Sequence, residues 1–239
     1  MTTAPAPVRP AAPAPAAAAA PDPAPAAAAA PVVRAARAED AEPLARALAA
    51  AFQDDPLTRW AFPDPAHRER VLPAFFRVHL DQCLAHGGAL AVHDRDDAGG
   101  APQGALLFLP PGVWEDPRQQ DRTAARALER AVDSARNPES ARRLAAITHL
   151  QTRRHPRHRP HYYLAFIGVH PDAHRTGAGE ALLAAMLTGV DRAGQAVYAE
   201  TSSPSGARLS RAAGFTRFGE AIALPAGGPR LNPVWRGPR

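Results

Sequence analysis

The feature that most constrains the fold is the continuous apolar run YYLAFIGV at residues 162–169. A strand with one face in solvent alternates apolar and polar residues, whereas a strand covered on both faces is apolar throughout. The run therefore predicts a strand in the centre of a sheet. Further strands are predicted at Val32–Ala35, Ala89–His93, Gly104–Leu109, 195–200 and 215–224.

Helical patterns alternate with these strands. Asp40 is expected to cap the first helix, and Asp55-Pro56 has the cap-then-proline order of a second helix start. A longer helix is expected to end at Gly87-Gly88, and two more are predicted over 118–154, separated at Asn137-Pro138. The alternation of strands and helices predicts an α/β fold with a mixed sheet flanked by helices.

Residues 1–31 differ from the rest of the chain because they consist almost wholly of alanine and proline. Proline recurs too often for a helix, and no large apolar side chain is available to anchor a core. We predict a disordered tail or semi-stiff spacer at 1–31 and one folded domain over 32–239.

Charge and cysteine content restrict the class of protein. The pI is about 10.5, but the net charge is only +5, and because the chain has no lysine the high pKa of arginine accounts for the calculated value. A nucleic-acid-binding protein therefore stays a minor alternative. The single cysteine, Cys83, is expected in the core and indicates a cytoplasmic protein. No apolar run has membrane-spanning length, so no membrane helix is expected.

A glycine-containing stretch, VHPDAHRTGAGEALL at residues 169–183, follows the central strand. It lacks the lysine of a Walker loop, and Leu182 stands where a dinucleotide fingerprint requires glycine or alanine. What remains is the start of a helix, whose free N–H groups and dipole favour an anion, with Arg175 beside it. Gly177 and Gly179 would let a phosphate approach the backbone, or would only permit a tight turn.

Several segments together resemble one family. VHPDAHRTGAG is similar to the acyl-CoA motif of the GNAT superfamily of N-acetyltransferases, V-x-P-x-x-[QR]-x-x-G-x-[GA]. YAETSSPSGARLSRAAGF, AFQDDPLTRWAFPD and GALLFLPPG resemble other GNAT segments in the expected order. The resemblance covers roughly residues 32–236 and is nearest to puromycin N-acetyltransferase-like members. It implies a GNAT-type mixed, mostly antiparallel sheet and acetyl-CoA as the acyl donor, with no metal.

The resemblance also implies the residues that hold the donor. The pantetheine arm would pair like a strand with the backbone of Ile167, Gly168 and Val169, and an N–H near Val169 would polarise the thioester carbonyl. The pyrophosphate would take N–H bonds from the loop that contains His174, Arg175, Thr176, Gly177, Ala178, Gly179 and Glu180.

The sequence departs from the family at two places. His174 replaces the usual glutamine or arginine, and Arg175 replaces a frequent glycine. Ser210 stands where the family commonly has a tyrosine that protonates the departing thiolate, and Gly206 replaces an asparagine. A serine hydroxyl is far less acidic than a phenol, so a slow enzyme is predicted, with a non-catalytic CoA-binding or regulatory module as the alternative.

Glu200 is the best candidate for the base, because it lies at the end of a predicted strand near the expected thioester. Asp54 and Trp60 are candidate acceptor-binding residues, whereas Asp55 is expected to be a helix cap. Three histidines in the stretch 155–161 are too close to arginines to favour a metal, and a basic, solvated loop is predicted there.

These assignments predict a GNAT-type N-acetyltransferase. It would transfer acetyl from acetyl-CoA to the primary amine of a small molecule by direct attack, with Glu200 and Ser210 as catalytic residues. The chain would act as a monomer or homodimer. The identity of the acceptor is left open.

Overall fold

The computed structural model describes residues 1, 31–93, 100–114, 122–133 and 135–239. Eight strands form one sheet in this part of the chain, in the order β1-β2-β3-β4-β5-β8-β6, with β7 paired to β8. The strands are β1 (Val32–Ala35), β2 (Ala89–His93), β3 (Gly104–Leu109), β4 (His161–Val169), β5 (Ala196–Thr201), β6 (Thr216–Arg217), β7 (Ile222–Ala223) and β8 (Arg230–Arg236). The helices are α1 (Ala41–Ala51), α2 (Pro56–Ala61), α3 (Pro65–Ala85), α4 (Arg122–Ala131), α5 (Pro138–Arg154), α6 (Ala178–Arg192) and α7 (Pro204–Ala212).

Strand β4 lies in the middle of the sheet, as its apolar sequence predicts. Its pairing with β5 is parallel, and every other pairing among the described strands is antiparallel. The predicted fold class, a mixed and mostly antiparallel sheet flanked by helices, is confirmed.

The two faces of the sheet carry separate apolar cores. One core lies under α1, α3 and neighbouring helices and contains Leu44, Leu48, Leu72, Phe76, Leu80 and Cys83. The other lies under α6 and contains Leu182, Leu183, Met186, Leu187 and Val190, which recur at helical spacing. The predicted core position of Cys83 is confirmed, since this residue is 2% exposed. The sheet is thereby covered on both sides at β4.

Of the two aspartates that were predicted to cap helices, Asp55 does so and Asp40 does not. The carboxylate of Asp55 accepts hydrogen bonds from the N–H groups of Leu57 and Thr58, and proline follows at once. Asp40 precedes α1 but makes no capping bond, so that prediction is wrong. Its carboxylate instead accepts two bonds from Arg34 and one from the Arg37 N–H, which lower the pKa of Asp40 to about 2.

The C-terminal strands differ from the prediction. The strand expected over 215–224 is two short strands, β6 and β7, with a break that contains Gly219 at a φ of +68°. The sequence did not predict β8, which pairs with β5, β6 and β7. Pro229 directly precedes this strand and Pro233 lies within it. Because proline cannot donate a backbone hydrogen bond, both residues argue against a strand in the sequence.

Two predictions concern residues outside the ranges that the structure describes. The tail at 1–31 lies outside the described residues, apart from its first and last residue, and so does the start of the helix predicted from residue 118. Within the described ranges, no helix combines the length and the apolar character that crossing a membrane requires.

Candidate functional site

Strands β4 and β5 separate halfway along their length. Their parallel pairing runs from His161 with Ala196 to Leu164 with Ala199 and then ends. Ala165 is an extra residue in the pairing of β4 with β3, which is a β-bulge, and bulges bend a strand. Beyond the bulge β4 is paired only with β3, and the end of β5 only with β8. A wedge therefore opens between the two central strands.

The edge of β4 that faces this wedge is open. Alternate residues of an antiparallel pair direct their backbone groups to opposite edges. Val169 uses its carbonyl to accept a bond from a side chain, the Nε2 of His174 at 3.1 Å, and Ile167 shares that edge. Residue 168 between them is a glycine because a Cβ at this position would come within 2.8 Å of the Phe52 ring. The open edge can therefore pair with an extended ligand.

The start of α6 forms an anion seat beside the wedge. Gly177 precedes the helix at a φ of +82°, and no side chain caps the first N–H groups, which have no acceptors inside a helix. A Cβ on Gly179 would lie 3.9 Å from Val169, so the helix start adjoins the end of β4. Arg175 is exposed, with a φ of +65° that is unusual for a residue with a side chain. N–H groups arranged in this way bind anions.

His174 has a position that the sequence did not indicate. Because a carbonyl only accepts, the Nε2 atom of His174 carries the proton that it shares with Val169. The ring therefore joins the loop to the end of β4 and does not simply point into solvent. Within the loop itself, the Thr176 hydroxyl donates to the Ala173 carbonyl at 2.9 Å. These two bonds hold the loop in place beside the wedge.

A cavity of about 460 Å³ lies next to the wedge, between the helices that cover this face and the diverging strands. Ala165 and Ile167 belong to its lining, so the cavity and the wedge are continuous. The phenylalanine, tryptophan and tyrosine residues in its lining are Phe52, Phe62, Phe75, Phe76, Phe166, Trp114 and Tyr163. A volume of this size is typical of small-molecule sites.

Glu200 reaches this cavity from the end of β5. Its Oε2 accepts a 3.0 Å hydrogen bond from the hydroxyl of Tyr163, which in turn lies 3.4 Å from the Gln151 amide nitrogen. Burial raises the pKa of Glu200 to about 7, and the hydroxyls of Tyr198 and Tyr163 and the Gln151 amide oppose that shift. Oε1 of Glu200 and the Tyr198 hydroxyl are buried without a standard hydrogen bond in the described structure. The bond from Tyr163 therefore fixes the carboxylate.

Ser210 lies on α7 and lines the same cavity as Glu200, with 7% of its surface exposed. The helix is positioned by Ser203, whose hydroxyl accepts from the N–H of Gly206 at 3.2 Å. The structure thus brings together the two side chains that the sequence analysis named as catalytic candidates.

The candidate acceptor-binding residues occupy different places. Asp54 is exposed and does not line the cavity. Trp60 also lies outside the lining, and its ring packs against the guanidinium of Arg143 at 5.2 Å. Asp55 does line the cavity, and its Oδ2 accepts a 2.8 Å bond from the Ser202 hydroxyl in addition to its capping bonds. Asp55 therefore joins α2 to the loop after β5.

The prediction of a basic, solvated loop at 155–161 is wrong for two of its histidines. His155 and His161 are 6% and 2% exposed, and their Nε2 atoms lie 2.9 Å apart. Nδ1 of His161 donates to the Arg159 carbonyl at 2.7 Å, and the two Nε2 atoms share a hydrogen bond. Burial is the main cause that lowers the pKa of His155 to about 3. His158 is exposed, and the described residues contain no group of side chains suited to a metal.

Sequence reasoning missed Tyr163, Gln151 and His79 as residues of the site. Tyr163 stands inside the apolar run and Gln151 on a polar helix, so neither has a local signal. His79 lines the cavity among Phe75 and Phe166, and burial lowers its pKa to about 4. One signal in the sequence could have identified His79. It is a histidine at an apolar position of α3, and such a position indicates a buried, neutral imidazole.

Several solved structures of acetyltransferases share the fold of this chain. An acetyltransferase of Corynebacterium glutamicum, described as histone acetyltransferase HPA2 and related acetyltransferase, is 26% identical with a TM-score of 0.61, covering 88% of this chain and 98% of that protein. Aedes aegypti arylalkylamine N-acetyltransferase 2 is 11% identical with a TM-score of 0.55, covering 87% and 99%. Drosophila melanogaster polyamine N-acetyltransferase is 16% identical with a TM-score of 0.51, with the same coverage. No model of a protein family matches the sequence.

Proposed function

We propose that this chain, which shares its fold with solved N-acetyltransferases, is a GNAT-type N-acetyltransferase that transfers the acetyl group of acetyl-CoA to the primary amine of a small molecule. The observation that carries the proposal is the wedge between β4 and β5, which has an uncapped helix start at one side and the Glu200 cavity at the other. The narrower likeness to puromycin N-acetyltransferases stays a prediction.

The donor fits the two features of the wedge. The N–H groups at Gly177 to Glu180 and the charge of Arg175 would hold the pyrophosphate, and the open edge at Ile167 to Val169 would pair with the amide-containing pantetheine arm. His174 would contribute by fixing the loop rather than by direct phosphate contact through Nε2, which Val169 occupies. When bound, the donor supplies an activated acyl thioester.

Glu200 would act as the base. An amine is protonated near neutral pH, and it must lose a proton before its nitrogen can attack a carbonyl. With a pKa of about 7, the carboxylate is ionised for much of the time at neutral pH and is also basic enough to take that proton, directly or through water. Tyr163 holds Oε2, so the carboxylate keeps one orientation in the cavity.

Ser210 occupies the position of the expected acid. A thiol has a reference pKa of about 8.5, so a thiolate leaves tolerably well near neutrality without full protonation. General acid catalysis typically contributes about 10²–10⁴-fold, and a serine hydroxyl would supply little of this. We therefore propose a slow enzyme in which positioning of donor and amine provides most of the rate enhancement.

We also propose a domain extent, an oligomeric state and a cellular compartment for this chain. Residues 32–239 would form one domain that works as a monomer or homodimer, and its single free cysteine, Cys83, agrees with the reducing cytoplasm.

Calorimetry with CoA, followed by detection of free thiol in the presence of acetyl-CoA and primary amines, tests the proposal. We expect CoA to bind and thiol release to depend on the amine. Absence of CoA binding at millimolar concentration would contradict the donor site, and amine-independent thiol release would contradict the acceptor role of the cavity.

A further inference from the structure

We propose that the cavity selects a primary monoamine whose body is apolar, aromatic or aliphatic, over diamines, polyamines and guanidino-amines. This inference rests on the proposed function, since it names the acceptor class for the same site. It is drawn from the distribution of charge and apolar surface in the cavity lining.

The carboxylates in the lining provide for a single cation. Asp55 and Glu200 are the acidic residues among the described lining residues, and no arginine is among them. Oδ1 of Asp55 already accepts from two N–H groups and Oδ2 from the Ser202 hydroxyl. The carboxylate of Asp55 is thus committed to holding α2 and the loop after β5, and Glu200 is the carboxylate available to an ammonium group.

The rest of the wall is suited to an apolar body. The ring of Phe166 lies 5.3 Å from that of Phe76, 5.9 Å from that of Phe52 and 5.0 Å from that of His79. These distances are typical of edge-to-face aromatic packing. His79 is desolvated in this cluster and stays neutral near pH 7. Aliphatic side chains of Leu109, Leu128, Leu144 and Ile147 complete the wall.

Among the described lining residues, no further carboxylate is available to a second cationic group. The remaining polar lining residues, such as Thr58, Gln82 and Thr148, are neutral. Burying an ammonium or guanidinium group without an opposite charge is strongly unfavourable. The described wall therefore disfavours acceptors that carry two or more cationic groups.

Hexylamine and 1,5-diaminopentane form a matched pair for the test, because they have the same number of heavy atoms and differ in one terminal group. We expect kcat/KM for hexylamine, and for 2-phenylethylamine, to exceed that for the diamine by about 100-fold. Binding of each amine to the full chain saturated with CoA is measured in parallel by calorimetry. Equal values or a preference for the diamine would overturn the inference and leave the proposed acetyl transfer standing.

A substitution on the wall separates charge from shape. Thr148 lies on α5, is exposed and lines the cavity, so its replacement does not disturb the core. Thr148→Glu adds a carboxylate to the wall, and Thr148→Gln has the same length without the charge. Across diamines of four to eight carbons, we expect the glutamate variant to narrow the preference for the monoamine by about ten-fold or more relative to the glutamine variant. An unchanged preference would contradict the charge argument.

The binding measurements distinguish a failure of the inferred acceptor class from a failure of the proposed acetyl transfer. Selective binding of hexylamine without thiol release would support the inference and contradict the catalytic proposal. Failure of both amines to bind, with CoA bound, would overturn the inference and show that the cavity is not the acceptor site.

Discussion

The hydroxyl of Tyr163 donates a 3.0 Å hydrogen bond to Oε2 of Glu200 and so joins β4 to β5 where the two strands separate. Tyr163 is 5% exposed, and burial together with the nearby carboxylate raises its pKa well above the usual value, so it remains a donor at every relevant pH. The bond favours the ionised form of Glu200 and opposes the effect of burial.

Tyr163→Phe removes the donor and should raise the pKa of Glu200 further. A hydrogen bond to a charged group contributes about 1.5–3 kcal/mol, so we expect the acidic limb of the kcat/KM profile to move up by roughly one pH unit or more. Activity should fall at pH 7 and recover at higher pH. Tyr162→Phe is the control, because Tyr162 packs against Phe108 in the other core. A uniform loss at all pH values would indicate that Tyr163 is only structural.

Glu200→Gln should lower kcat by about 10²–10⁴-fold and abolish the acidic limb near pH 7, if Glu200 is the base. The same variant should change the pH dependence of stability. Because burial raises the pKa of Glu200 from 4.5 to about 7, the folded state keeps a proton that the unfolded state loses in this window. The contribution of Glu200 to the free energy of unfolding is therefore largest below pH 4.5 and is lost as the pH rises through 7.

Urea unfolding of both proteins across pH 4.5–7.5 measures this effect. Relative to Glu200→Gln, the unsubstituted chain should lose on the order of 3 kcal/mol of unfolding free energy over the window. A difference that does not vary with pH would show that the pKa of Glu200 is the same in the folded and the unfolded chain, and the assignment of a raised pKa would then be wrong.

Ser210→Tyr should increase the rate of acetyl transfer, since it restores a phenol at the acid position. Ser210→Phe adds the same bulk without the hydroxyl, and both variants carry an overpacking cost of about 1–3 kcal/mol that thermal unfolding measures. We expect kcat of the tyrosine variant to exceed that of the phenylalanine variant by about ten-fold or more. Equal rates would show that Ser210 does not lie beside the leaving thiolate.

Arg175→Gly should have opposite effects on stability and on donor binding. The φ of +65° is unfavourable for a residue with a Cβ, so glycine should stabilise the fold by about 1 kcal/mol. Loss of the exposed cation should weaken CoA binding by roughly two- to five-fold, and less so at high salt. Ala226→Gly, at a φ of +50° in an exposed turn, relieves similar strain and should leave CoA binding unchanged. Equal CoA affinity in both variants would exclude Arg175 from the donor site.

Much of the fold was predictable because the signals were local. The apolar run placed β4 at the centre of the sheet, and the cap at Asp55 and the glycine before α6 marked helix starts. The strand β8 was missed because Pro229 before it and Pro233 within it are typical of a break, although the neighbours of Pro233 still pair with β5. Local patterns therefore located most elements and failed where an element contains residues that disfavour it.

The site was predictable only in outline. Glu200 and Ser210 were identified as candidates and line one cavity, but the bond from Tyr163 spans 37 positions in sequence and that from Ser202 to Asp55 spans 147. Such contacts depend on the tertiary structure and leave no periodic pattern. The same holds for His155 and His161, whose charged neighbours suggested solvent although the fold buries both rings. Asp54, which the sequence left without a capping role, is exposed and outside the cavity lining, whereas Asp55 belongs to that lining.

The most direct measurement for the whole account is the affinity for CoA, by calorimetry, of Gly179→Ala compared with Gly189→Ala. Both glycines lie in α6, a Cβ at either meets no close contact, and alanine should stabilise the helix in each case by up to about 1 kcal/mol. Only the first would place a methyl group where the pyrophosphate approaches the helix start. The account predicts at least a ten-fold loss of CoA affinity for Gly179→Ala and no loss for Gly189→Ala. Unchanged affinity in Gly179→Ala, with the expected gain in stability, would contradict the donor site at the start of α6.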